Sequence, residues 1–250
     1  MSQNEENPAP PAAMLRVDIL GKLYDFHFID SPNARYSLEK IFSGEEYPHA
    51  TLPGFAPKAV IDIGANVGAA AVMFAVSFPD ATVYCFEPSP ANFQLLQRNV
   101  SAFKNVRAFP WGLLDRDETV KLYTGADLSL QNSMARSAET TDTFETAQVR
   151  RASEEFDRLG ITEPSLIKLD TEGCELAILK DLANRLDAVD RLYVEYHSED
   201  DRRAIDALLS DRFVLATARV PKPHRGSMFY LSRRVLAALP ELAAPALRVR

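Results

Sequence analysis

The 250-residue chain predicts an α/β fold: a Rossmann-like three-layer α/β/α sandwich, with a mostly parallel sheet and an antiparallel C-terminal hairpin edge. Three observations predict it. From residue 57 onward, short apolar runs alternate with runs of helical length, as in βα units that feed a parallel sheet. The first of these runs, VIDIGANVG (60–68), ends in a glycine turn that opens a helix. The last two, FVLATARV (213–220) and SMFYLSRR (227–234), flank a turn-rich VPKPHRG and read as a closing hairpin.

Each element follows from its local sequence. MLRVDILGKLYDFHFI (14–29) reads as two strands around a Leu20-Gly21 turn. Residues 31–48 look helical in their middle and stop at Gly44. AVIDIG (59–64) is a buried strand, and 66–78 is Ala-rich with helical length. ATVYCFEP (81–88) is a second buried strand. Residues 89–103 start a helix at Ser89-Pro90, where Pro suits the first turn. Residues 105–114 read as a third strand and 119–124 as a short extra one. Residues 125–146 are polar without a period and read as a long loop, which makes Gln131, Asn132 and Ser133 candidate acceptor-facing residues. A helix (153–160), a strand (165–170), a helix (174–186) and a strand (190–197) follow. The helix over 198–210 has Ser198 as its cap and acids in its first turn. Four segments result: a disordered tail (1–13), a hairpin and helix extension acting as lid or accessory layer (14–56), the main domain (57–235) and a C-terminal tail (236–250).

Composition narrows the function. The chain is 46% hydrophobic and 25% charged, an ordinary soluble balance. A net charge of −7 argues against nucleic acid and anionic membrane as partners. No apolar stretch approaches the roughly 20 residues of a membrane span, and the N-terminus has no signal-peptide pattern. Cys85 and Cys174 form no metal or disulfide framework, so a reducing cytoplasm is expected. Oligomeric state stays open, a homodimer included.

The glycine turn carries the ligand inference. A dinucleotide site wants G-x-G-x-x-G, but here Asn66 stands at the second glycine's place between Gly64 and Gly68. A side chain there hinders a pyrophosphate. Asp62 adds negative charge, which suits a cation. Glu87, with Pro88 and Ser89 after it, ends the second strand, where an acid accepts hydrogen bonds from ribose hydroxyls. A cationic nucleoside without phosphates fits, and S-adenosylmethionine is one. A nicotinamide-dependent oxidoreductase and a non-catalytic cofactor-binding module are the competing readings.

VIDIGANVG, FEPSP (86–90), IKLDTEGCE (167–175) and VEYH (194–197), in this order, resemble the FkbM-type class I methyltransferases. The resemblance spans roughly residues 55–235. It implies an S-adenosylmethionine cofactor and methylation of hydroxyl oxygens on natural products or glycans. It also implies that Asp62, Gly64, Asn66 and Gly68 form the cofactor loop, that Glu87 binds ribose, and that Asp170, Glu172 and Glu175 form the acidic block.

Chemistry is expected where strands four and five end. Asp170 and Glu172 are two apart, as are Glu195 and His197, so each pair shares one side of an extended chain. His197, with Glu195 and Asp170, is a candidate general base. The same three could instead hold a divalent metal, or His197 could merely cap its strand. Glu172 and Glu175 either meet substrate or stabilise the next helix's N-terminus. Tyr47 and His49 are candidate lid residues over the acceptor. Trp111 is either an adenine contact or core. Arg219, Lys222, His224 and Arg225 sit around the hairpin turn, as a solvated loop or a contact for an anion.

Overall fold

The computed structural model describes residues 12–48, 55–125, 132–133 and 140–238. Strands β1 (Ala12–Ile19) and β2 (Lys22–Ile29) pair antiparallel about Leu20-Gly21, both with positive φ. Helix α1 (Pro32–Phe42) starts at Ser31, whose Oγ accepts from the Ala34 amide at 3.1 Å. β3 (Ala59–Ile63) is buried at every position and leads into α2 (Ala69–Ser77). β4 (Thr82–Phe86), α3 (Pro90–Val100) and β5 (Val106–Phe109) complete the first half of the sheet.

A small second sheet follows: β6 (Gly112–Leu114), β7 (Glu118–Gly125), β8 (Asn132–Ser133) and β9 (Thr140–Arg151), in the order β6-β9-β7-β8. The chain then returns through α4 (Ala152–Leu159), β10 (Pro164–Leu169), α5 (Glu175–Asp181) with a 3-10 turn, β11 (Arg191–Tyr196) and α6 (Glu199–Leu209). β12 (Phe213–Lys222), β13 (Arg225–Ser232) and α7 (Arg233–Ala238) end the described chain.

The main sheet runs β12-β13-β11-β10-β3-β4-β5. β11, β10, β3, β4 and β5 are parallel, while β13 and β12 add the antiparallel edge. The predicted three-layer α/β/α sandwich is the fold observed. Strand side chains alternate between two cores. Val60, Val83 and Leu166 face the layer of α2, α3 and the β1–β2 hairpin. Ile61, Phe86 and Ile167 face the layer of α4, α5 and α6. From β3 the connections run one way through β4 to β5, and from β10 the other way to β11. The carboxyl ends of β3 and β10 therefore flank the switch point, where such sheets open a crevice.

Three expectations are corrected. Residues 105–114 form two strands in different sheets, because Pro110 lacks an amide donor and breaks the ladder between them. The expected loop over 125–146 contains the start of β9, which pairs antiparallel with β7 through Glu145↔Leu122 and Ala147↔Val120. Its threonines are polar but β-branched, so they suit a strand despite reading as loop. The candidate Gln131 lies outside the described residues, as does His49. Asn132 and Ser133 form β8 beside β7. The C-terminal hairpin turns only at Pro223-His224, so Arg219 and Lys222 lie on a strand. Among the described residues, no helix is long and apolar enough to cross a membrane.

Candidate active site

Both loop glycines serve the chain's own packing. A Cβ on Gly64 (φ +79°) would stand 1.8 Å from the Asp170 carbonyl oxygen. One on Gly68 (φ +91°) would stand 2.7 Å from Leu96 Cδ1 of α3. Close approach of β10 and α3 thus requires these glycines, and Gly64 also lines the cavity described below. The Gly64 and Ala65 amides both donate to the Phe86 carbonyl, at 3.1 and 3.0 Å, which ties the turn to the end of β4.

Asn66 takes a left-handed conformation (φ +52°) that asparagine tolerates better than most residues. Its amide donates to Glu87 Oε2 at 2.7 Å, and the Ser89 amide donates to Oε1 at 2.9 Å. Burial pushes the Glu87 carboxyl up to about 7, against these two amides. Each carboxylate oxygen retains acceptor capacity toward the cavity. Ser89 itself is fully buried and caps α3, while Pro88 lines the cavity.

That cavity, of about 230 Å³, opens at the carboxyl ends of β3, β4 and β10. Asn66, Glu87, Asp170, Glu172 and Glu195 reach it. Ser37, Leu38 and Ile41 of α1 close one side, so the N-terminal extension builds part of the wall. Leu113, Leu122 and Val149 supply an apolar wall from the small sheet. Trp111, the expected adenine contact, does not line it. The indole lies 3.6 Å from the Arg150 guanidinium and donates to Glu155 Oε1 at 3.1 Å, away from the cavity.

Asp62 is also absent from the cavity wall. It is 0% exposed, and Lys168 Nζ sits 3.0 Å from its Oδ1. Lys168 also donates to the Gly64 carbonyl at 2.5 Å and lies 3.8 Å from Asp170. Burial opposes the Lys168 charge, but Asp62, Tyr47 and Asp170 outweigh it and raise its pKa. The charge expected to attract a cation is thus already neutralised inside the protein. Lys168 was missed as a site residue. Its signal was a lone cation in an otherwise apolar strand, SLIKLD.

Asp170 follows β10 and Glu195 is the last residue but one of the neighbouring β11, both just beyond the Leu169–Val194 pair. Burial first, then Asp170, pushes the Glu195 carboxyl well above its usual range. His197 instead faces a ring of acids: Glu172 Oε2 at 3.1 Å from Nε2, Glu175 Oε1 at 3.5 Å from Nδ1 and Glu195 Oε1 at 3.7 Å from Nε2. Burial alone would lower its pKa. Glu172 and Glu175 override that and push it up to about 11. In this ring the protonated imidazole is placed to hold the surrounding acids.

Glu175 is 1% exposed and accepts from the Thr171 amide at 2.8 Å, Thr171 Oγ1 at 3.0 Å and the Gly173 amide at 3.1 Å. It folds the 171–174 loop rather than facing substrate. Despite burial, His197 and the Thr171 amide hold its carboxyl below the usual range. Glu172 lines the cavity with positive φ and accepts from Arg225 Nη2 at 2.8 Å. Tyr47 is buried against Phe74 and Tyr193 and lines both this cavity and a smaller one beside it.

One ligand atom each from Asp170, Glu172 and His197 lies within 4.8 Å of the others. This replaces Glu195 by Glu172 in the expected metal set. A divalent ion there would compete with Arg225 Nη2, at 2.8 Å, and His197 Nε2, at 3.1 Å, for Glu172 Oε2. The larger cavity fits a cationic nucleoside better: Glu87 offers paired acceptors to a cis-diol, and acids line the far end.

Residues 62–216 match the methyltransferase FkbM domain. The chain is 27% identical over 174 residues to the hexuronic acid methyltransferase AglP of Haloferax volcanii, covering 69% of each chain. It is 27% identical over 221 residues to the methyltransferase sdnD of Sordaria araneosa, covering 75% of this chain and 84% of that one. It is 21% identical over 155 residues to the 2-O-methyltransferase NoeI of Sinorhizobium fredii, covering 56% and 64%. These likenesses favour methyl transfer over nicotinamide chemistry. With more than half of its length matched and the glycine turn, Glu87 and the acidic strand ends in one crevice, the chain belongs to the FkbM methyltransferase domain family.

Proposed function

We propose that this chain transfers the methyl group of S-adenosylmethionine to a hydroxyl oxygen of a small-molecule or sugar acceptor. The observation that carries the reading is the shared cavity of Glu87, at the end of β4, and Asp170 with Glu195, at the ends of β10 and β11. When bound, the cofactor supplies a methyl already activated on a sulfonium. Glu87 accepts the ribose hydroxyls, and the Gly64–Asn66 backbone borders the rest of the nucleoside. Leu113, Leu122 and Val149 enclose the base in place of Trp111.

The remaining work is to position the acceptor, exclude water and accept a proton. Glu195 is the residue we assign to the proton, because burial raises its affinity for one and it faces the cavity. Asp170 orients the acceptor beside it. His197 is a positioning residue: as a cation it holds Glu172 and Glu175, and with them the loop that borders the cavity. The name of AglP, a hexuronic acid methyltransferase, supports a sugar as acceptor, and that of NoeI, a 2-O-methyltransferase, supports oxygen as the methylated atom.

Calorimetric titration with S-adenosylmethionine and, separately, NADH tests the cofactor, with Glu87→Ala as control. Micromolar binding of the first alone, weakened at least tenfold in the variant, is the expected result. NADH binding without S-adenosylmethionine binding would sink the reading. An acceptor screen with and without EDTA then tests the hydroxyl and the metal together. Glu195→Gln should lower kcat by 10²-fold or more, the usual order for a general base, while cofactor affinity changes little.

A further inference from the structure

We propose that the smaller cavity is the acceptor site, and that Glu46 is a specificity-determining residue there which turns away acceptors bearing a carboxylate. This rests on the methyl-transfer reading above. The cavity, of about 130 Å³, shares Tyr47, Lys168, Asp170 and Glu195 with the cofactor cavity. A molecule seated in it therefore meets the proton-accepting end of the site. Its other walls come from the segment after α1 and from the hairpin β12–β13. Tyr193, Met228 and Phe229 give it an apolar side, and Thr217 and Ser227 a polar one. Small concave sites with an apolar wall and a few fixed polar groups suit one head group of a small ligand.

Charge decides which head group. Two cations line this cavity, and both are matched. Arg219 Nη1 lies 3.3 Å from Glu46 Oε2, and its Nη2 donates to the Tyr36 hydroxyl at 3.3 Å. Lys168 is closer to Asp62 than to Asp170, at 3.0 against 3.8 Å. Asp170 and Glu195 also face the cavity, 3.8 Å from Lys168 and 3.7 Å from His197 respectively. A ligand carboxylate there finds both cations already paired, while hydroxyls and ammonium groups meet acceptors. Without Glu46, the Arg219 guanidinium would present its donors to a ligand carboxylate, a geometry that favours pairing. Glu46 thus provides discrimination by occupying a group that would reward the wrong acceptor.

Ligand-observed NMR on the full chain, saturated with S-adenosylhomocysteine, tests this with three probes: methyl glucoside, glucosamine and glucuronate. We expect glucuronate to bind at least tenfold more weakly than methyl glucoside. Glu46→Gln should shrink that gap to less than threefold. Thr217→Trp, made at an exposed strand position on the cavity wall, should abolish binding of all three. Affinity for S-adenosylhomocysteine should stay within twofold in both variants. Equal or tighter glucuronate binding by the wild type, an unchanged gap in Glu46→Gln, binding unaffected by Thr217→Trp, or no probe binding would each overturn the proposal alone. Failure of the wild type to bind S-adenosylhomocysteine would overturn the methyl-transfer reading, and this proposal with it.

Discussion

Replacing Gly64 by alanine isolates what the glycine turn is for. The added Cβ would stand 1.8 Å from the Asp170 oxygen and 2.8 Å from its carbonyl carbon. Both are backbone atoms, so no side chain can swing away. The ends of β3 and β10 would have to part by about 1 Å or more, the kind of overpacking that costs about 1–3 kcal/mol. The Asp170 amide bond to the Ile63 carbonyl, 3.1 Å long, would be stretched with them, a further loss of about 1 kcal/mol. Left-handed φ at an alanine adds about 1–2 kcal/mol. The expected total is about 3–6 kcal/mol. Gly160→Ala is the control: its φ is +68°, but nothing lies within 4 Å of the new Cβ. It should cost only about 1–2 kcal/mol, from φ alone. Urea unfolding of both variants at equal m-values measures the difference. A Gly64→Ala loss within about 1 kcal/mol of Gly160→Ala would refute the packing argument.

Other outcomes follow from the same geometry. Lys168→Met should destabilise the fold by about 3–5 kcal/mol, because it strands a buried Asp62 carboxylate, and adding Asp62→Asn should recover most of that in thermal or urea unfolding. Glu87 titrates at about 7 in the folded chain, above its usual range because of burial. Its contribution to stability is therefore present at low pH and lost as pH rises through 7. On the proposed reading the cofactor binds to its carboxylate form, so affinity should rise up to tenfold per unit below pH 7 and level off above it. A titration series from pH 5.5 to 8.5 that stays flat would contradict this. Trp111→Phe should leave cofactor affinity within twofold, because the indole serves Arg150 and Glu155 rather than the cavity; a tenfold loss would return Trp111 to the binding site.

Much of the molecule was legible in one dimension. The alternation of buried strands and helices, the Ser-Pro helix start, and the turn at Leu20-Gly21 are local signals, set by periodicity and backbone preference. So is the glycine turn followed by an acid at the next strand's end, which pointed to the cofactor crevice. Residues that end neighbouring parallel strands must converge, so Asp170 and Glu195 could be paired from register alone.

Tertiary structure decided what each charge does. Asp62 reads as a ligand-facing acid until Lys168, 106 residues later, is seen 3.0 Å away. His197 reads as a base until Glu172 and Glu175 close around it. Glu46 and Arg219 meet only because the segment after α1 folds back over the hairpin. Strand β9 was hidden because its threonines are polar in composition yet paired in space with β7. Periodicity carries information about which face of an element is buried. It carries none about which charge comes from elsewhere in the chain to lie against it, and at short range in a desolvated site that partner sets the protonation state and the role.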